Sequence, residues 1–295
     1  MEKLYWILLV VLLVSWGSNY TVLKVALSFS SPLVLATLRA FIGTIGTMPL
    51  ALYAYRTSKQ KPSLPKGSKI LGVTILFAIL QSVIFFGCWF TAEVAVDPST
   101  VAVLIYTNPL FVVLFTALFL SHSITQPKVL GIVIGFVGAS FVVTKGDLLG
   151  LSGDAYDIAL LVVAAMSIAA SMVLYKRYLS NYNYYLVNFF QLAISSALLF
   201  IWAAITNIQG FFAKSLSNYS FILALSYLVV FGPVVTNVIW FSLLDKRGPA
   251  WFASWSLLVP IFAVAIAFVA LGVELVPVQL VGVVLVLAGL YEANK

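Results

Sequence analysis

Apolar residues run along this chain in long blocks separated by short polar stretches. Within the blocks they do not alternate in and out, as the strands of a membrane barrel would. A helix needs about 20 mostly apolar residues to cross the hydrocarbon of a bilayer. Ten such stretches can be drawn, at 4–26, 32–55, 69–92, 98–121, 127–144, 153–177, 184–206, 219–244, 249–272 and 276–291, the fifth and tenth being short. The first stretch does not read as a cleaved leader: Lys3 alone precedes it, its apolar body is long, and no small-residue cleavage site is clear. The pattern therefore predicts an all-α polytopic membrane protein.

Composition supports that solvent. The chain is 63% hydrophobic and 8% charged, against roughly 25% charged residues in a soluble domain. Ten spans put both ends on one side. Twelve basic residues then fall on the side of the termini and three on the other (Lys24, Lys145 and Lys214), with Arg39 left inside a span. This asymmetry predicts cytoplasmic termini and accounts for the net charge of +7 without a nucleic-acid partner. The basic loop at 56–69 reads as a topology signal, with contact to anionic lipid headgroups a weaker addition. Cys88 and His122 are the only residues of their types, so no internal disulfide or zinc cluster is expected. No metal or cofactor is called for. No G-x-x-x-x-G-K-[ST] motif occurs, so ATP is not expected to drive this chain.

Sliding the sequence by 151 residues lays DPSTVAVLIYTNPLFVVLFTALFL (97–120) over GPAWFASWSLLVPIFAVAIAFVAL (248–271) without a gap. Pro109 meets Pro260, and further on Gly131 meets Gly282 and Gly138 meets Gly289. SWGSNYTVLK (15–24) pairs more loosely with SIAASMVLYK (167–176) at an offset of 152. The expected organisation is a first five-helix repeat at 1–145, a linker at 146–152 and a second repeat at 153–295. Five spans per copy make the second copy enter the membrane upside down. Secondary transporters often use that architecture, with the substrate near the midplane between the copies.

WGSNYTVLKVAL (16–27), SPLVLATLRAFIGT (31–44) and the pattern G-P-A…P…L-G-V-E…Q-x-x-G…G (248–289) resemble the EamA-type family of the drug/metabolite transporter superfamily. The resemblance implies ten helices, a central cavity drawn from helices 1, 3, 4, 6, 8 and 9, and export or exchange of small metabolites. Two departures stand out: Ser121-His122-Ser123 occupies the place of an acidic element, and Ile168 takes the slot matching Trp16.

Candidate cavity residues are the polar and aromatic ones at mid-span. Trp16 and Tyr20 share a helix face beside Gly17 and Asn19, too deep for the interfacial aromatic belt. Rings next to amides suit a solute with an apolar body and a polar end. The alternative is close helix packing through Ser, Gly and Asn. Tyr106 and Asn108 lie near the middle of helix 4, Asn237 and Trp240 follow the Gly232-Pro233 break of helix 8, and Trp255 is the deeper of two tryptophans in helix 9. Pro109 and Pro260 each remove a backbone donor and are expected to kink their helices. Gln81 and Trp89 lie on helix 3, where Trp89 reads as a belt residue.

Charges inside spans are the sharper test. Arg39 lies about 10 Å into helix 2 at 1.5 Å per residue. It either binds a substrate carboxylate or pairs with Glu93 or Asp157, a structural pair or a snorkelling side chain being favoured. Glu93, Asp157 and Glu274 sit at the outer ends of spans, where they read as solvated gate residues or as groups that titrate in a proton-coupled cycle. No acidic residue is placed at a midplane, and no deep aspartate pair or nucleophile–histidine pair suggests an enzyme. The expected function is a secondary transporter in the plasma (inner) membrane of a prokaryote. It would be a monomer whose partners are a small-molecule substrate and the lipid bilayer. Export of amino acids or related metabolites by facilitation or exchange leads; proton-coupled efflux of drugs or organic cations is the alternative.

Overall fold

The computed structural model describes residues 2–57, 67–96, 98–120, 125–147, 153–206, 218–271 and 275–295. These form ten helices: α1 (Glu2–Leu27), α2 (Pro32–Thr57), α3 (Ser68–Ala95), α4 (Pro98–Ile105 and Asn108–Phe119), α5 (Gln126–Thr144), α6 (Ala155–Leu179), α7 (Tyr184–Thr206), α8 (Tyr219–Arg247), α9 (Pro249–Ser256 and Val259–Leu271) and α10 (Pro277–Ala293). Among the described residues there is no strand, nine helices are long and apolar enough to cross a membrane, and α10 is shorter. Leu118, Ile205 and Val284 stand exposed on the outer surface, where lipid takes the place of water.

Helix ends follow local chemistry. Asp154 caps α6 by accepting from the Asp157 amide at 2.9 Å, and Asn218 caps α8 by accepting from the Phe221 amide at 3.2 Å. Prolines open α5, α9 and α10, where their missing donor costs nothing. Gly248 turns α8 into α9 at φ 83°.

The two copies pack about a pseudo-twofold axis. Element contacts come in swapped pairs: α3 touches α6 as α8 touches α1, and α4 touches α6 as α9 touches α1. Equivalent helices meet each other in α5–α10, α2–α7 and α4–α9. Reciprocal contact of this kind is what a twofold relation produces. Both termini lie at one end of the bundle. Tyr5 there accepts from Lys246, Trp6 packs on Trp251, and Ala293 lies against Gly131.

Among the described residues, five helices are interrupted. The ladder widens to π geometry at Ile79–Ile84 in α3, Tyr175–Leu179 in α6 and Val230–Val234 in α8. α4 and α9 break at equivalent turns, Tyr106–Thr107 and Leu257–Leu258, each just before Pro109 or Pro260. Such interruptions free backbone carbonyls, which in hydrocarbon must find other donors. The Asn108 amide donates to the Ile105 carbonyl at 2.8 Å, the group that residue 109 would bond were it not proline.

Candidate functional site

A cavity lies between the two halves, bordered by α1, α2, α3 and α4 from the first and by α6, α8 and α9 from the second. Its space is about 100 Å³, less than the roughly 150 Å³ that holds a benzene ring in an apolar core, so this conformation is a narrow one. Repeat-equivalent positions converge on it: Trp16 with Ile168, Tyr20 with Met172, and Ile105 with Ser256. The inverted repeat therefore gives the cavity an approximate symmetry of shape, while the chemistry is uneven. All the rings but Trp240, and all the amides but Asn237, come from the first copy.

The run Ser15–Tyr20 divides by face. Ser15 turns back to the Val11 carbonyl at 2.7 Å, and Ser18 lies 2.5 Å from the Tyr227 hydroxyl on α8. Gly17 is a helix contact: a Cβ there would meet the Ala263 amide nitrogen of α9 at 2.9 Å. Trp16, Asn19 and Tyr20 border the cavity. Cavity-bordering and closely packed positions thus lie on different faces of one helix.

Of the other expected lining residues, Tyr106, Asn108, Asn237 and Trp240 border the cavity and Trp255 does not. Trp255 packs edge-on to Trp6 at 4.9 Å and against Trp251 at 5.6 Å, toward the end of the bundle that carries the termini. The break at Leu257–Leu258 divides α9 just beyond it. Trp89, read from sequence as a belt residue, is buried on the cavity wall, as are Phe85 and Phe90. Trp240 lies tilted to Tyr175 at 6.1 Å and edge-on to Phe252 at 6.3 Å, and Trp16 is edge-on to Phe252 at 5.7 Å. Of these rings, Trp16 and Trp240 border the cavity, and Tyr175 reaches toward the terminal end, where its hydroxyl donates to Asp245 at 2.9 Å.

Charged residues depart furthest from expectation. Arg39 neither snorkels nor pairs: it is 8% exposed, its Nε donates to the Leu228 carbonyl of α8 at 3.1 Å, and its guanidinium lies 4.2 Å over the Phe86 ring. No carboxylate among the described residues is within ion-pair distance of it. Glu93 is not solvated but fully buried. One oxygen accepts from the Trp89 indole at 2.5 Å, the other has no partner, and Lys24 donates to its main-chain carbonyl at 3.0 Å. Asp157 stays in the capped first turn of α6, away from the cavity. Glu274, Gly272 and Ser121-His122-Ser123 lie outside the described residues, as does most of the 146–152 linker.

A polar chain behind the wall was not legible in sequence. Ser82 donates to Gln191, Gln191 and Asn237 both donate to Asn188 Oδ1, and Asn188 donates to the Pro233 carbonyl at 2.9 Å. Ser167 and Ser195 donate to the Leu80 and Ala78 carbonyls at the π segment of α3. Ser167, Asn188 and Gln191 each stand between apolar neighbours, and α3 lies far along the chain from α6 and α7, so nothing in the linear pattern joins these residues. Among the described residues no three His, Cys, Asp or Glu side chains gather as a metal site would require.

An inverted pair of five-helix units around a mid-membrane cavity is the build of a carrier, and comparison with known proteins agrees. The EamA-like transporter family model matches residues 4–144 and again 156–294. The chain belongs to that family, is a multi-pass integral membrane protein, and is a transporter rather than an enzyme. It is 24% identical over 292 residues to the uncharacterised transporter YvbV of Bacillus subtilis, covering 98% of this chain and 90% of that one. It is 27% identical over 304 residues to a "probable amino-acid metabolite efflux pump" of Salmonella typhimurium (96% and 92% covered) and 26% identical over 300 residues to one of the same description in Escherichia coli (97% and 93% covered). A solved crystal structure superposes with a TM-score of 0.78 at 17% identity, covering 99% of this chain and 96% of that one, which shows the shared fold.

Proposed function

We propose that this protein exports small amino-acid-like metabolites across the plasma membrane of a prokaryote by alternating access, as a facilitator or exchanger. Its termini would lie in the cytoplasm. Units 1–145 and 153–295, joined by 146–152, would rock about the central cavity. The observation that carries this reading is the convergence of repeat-equivalent residues on one enclosed mid-span site. Two similar units facing opposite ways have two packings of similar energy, and a bound solute shifts the balance between them. The relatives described as amino-acid metabolite efflux pumps support the substrate class.

The test is counterflow in proteoliposomes with labelled amino acids, amines and nucleosides, with and without a pH gradient. Amino-acid exchange that is insensitive to the gradient is expected. A second reading, proton-coupled efflux of organic cations, is favoured by the buried Glu93 carboxylate, one hydrogen bond from the cavity wall through Trp89. Amine transport driven by the gradient would establish it in place of the first. Folded protein that exchanges no solute would remove both.

A further inference from the structure

Among the described residues, Arg39 is the one charged side chain on the cavity wall. Its position has a physical cause in α8. A π-type bond from residue 233 would end on the Leu228 carbonyl, but Pro233 has no N–H to give. Arg39 Nε supplies that donor instead, at 3.1 Å. Gly232 makes room: a Cβ there would collide with the guanidinium. The side chain is thus clamped by one nitrogen, with its Cζ 4.2 Å over the Phe86 ring.

The two terminal nitrogens, which carry four of the five guanidinium N–H groups, have no hydrogen-bond or ion-pair partner among the described residues. An uncompensated buried charge is among the costliest features a membrane protein can keep, and in such proteins it marks a functional site by default. The same cavity holds the complementary shortage. Asn19 and Asn108 both border it, each is 8% exposed, and each has an amide oxygen with no donor. One unpaired fork of donors and two unpaired acceptors match a ligand that carries both an anionic and a donating group.

We propose that Arg39 is the carboxylate anchor of the cavity. Its terminal nitrogens take a substrate carboxylate side by side, the fork geometry that suits a planar anion. The Asn19 and Asn108 oxygens accept from the substrate ammonium, and the Trp16, Trp89 and Trp240 rings hold an apolar side chain. This rests on the transporter reading and narrows it to neutral α-amino acids. Because the same guanidinium holds the α8 break through Leu228, a carboxylate bound by a first-repeat residue is felt directly by the second repeat.

The experiment uses the full-length protein in proteoliposomes and varies the ligand first. Labelled phenylalanine, leucine and alanine are exchanged against the unlabelled amino acid, its methyl ester, its decarboxylated amine and its deaminated acid. Loss of two charge-assisted hydrogen bonds predicts that ester and amine compete about 30-fold or more weakly. Arg39→Gln keeps a donor for Leu228 and should erase the distinction between amino acid and amine; Arg39→Lys should restore it in part. Should these variants fail to fold, the ligand series on the unaltered protein still decides. Amino-acid exchange in which ester and amine compete equally overturns the anchor and leaves the transporter reading standing. Exchange confined to amines or nucleosides overturns it as well. Absence of any exchange counts against the transporter reading itself.

Discussion

Gly138 of α5 and Gly282 of α10 face each other so closely that a Cβ on either would lie 2.7 Å from the other's carbonyl oxygen. In the repeat register Gly138 corresponds to Gly289, and Gly131 to Gly282. The structure pairs them crosswise, Gly138 with Gly282 and Gly131 with Gly289, which places the pseudo-twofold axis between α5 and α10. Gly138→Val should therefore destabilise the protein by about 1–3 kcal/mol through overpacking. Gly72→Ala, where an added Cβ meets nothing within 4 Å outside its own helix backbone, should leave the melting temperature unchanged or raise it, alanine being the better helix former. Thermal unfolding in detergent reads both, and equal behaviour of the two variants would count against a close α5–α10 seam.

The break in α4 is held by Pro109 and answered by Asn108. Pro109→Ala returns a backbone donor to the Ile105 carbonyl, so α4 can run through Tyr106–Thr107 as a regular helix. The expected outcome is an unchanged or higher melting temperature with exchange slowed several-fold, because the break moves Tyr106 and Asn108 against the cavity. Counterflow rate and melting temperature on the same preparation check this. Unslowed exchange would make the kink a packing feature alone.

Two tryptophans of similar apparent depth should separate by function. Trp240→Ala removes a cavity wall and should weaken substrate binding about tenfold or more, in line with loss of a buried aromatic anchor. Trp255→Ala disturbs the Trp6–Trp251 cluster and should cost stability while leaving the half-saturating concentration within about twofold. Competition curves for both variants decide the matter.

Glu93 offers a charge-free isostere. Glu93→Gln keeps an acceptor for the Trp89 indole and removes an incompletely paired buried charge, so stability should be equal or higher. Glu93→Ala should lower it by about 1–3 kcal/mol, since a buried indole N–H is left without an acceptor. If Glu93→Gln also abolishes a pH-driven component of transport, the proton-coupled reading gains what the facilitator reading loses.

Much of this was legible in the sequence, for identifiable reasons. Span positions follow from apolar length, and the repeat from prolines and glycines that recur in one ungapped register. The mid-span aromatics and amides stood out because bilayer cores disfavour them. What linear depth cannot supply is azimuth and partner. Trp89 looked like a belt residue because it lies near a span end, yet its indole is turned inward to Glu93. Arg39 read as a structural pair or a snorkelling side chain because the family resemblance leaves helix 2 out of the cavity, although the Leu228 carbonyl at the α8 break holds it on the cavity wall. Ser82, Asn188 and Gln191 gain meaning only from interrupted helices whose carbonyls they and their neighbours satisfy.

The central claim, a single site reached in turn from both sides, is tested most directly by thiol accessibility. Cys88 is buried and alone of its type, so Cys88→Ala gives a background into which Ile168→Cys places one thiol on the cavity wall. A membrane-impermeant thiol reagent is applied to right-side-out and inverted vesicles. The account predicts labelling from each side, with substrate lowering the rate in both. Labelling from one side only, whatever substrate is present, would contradict it.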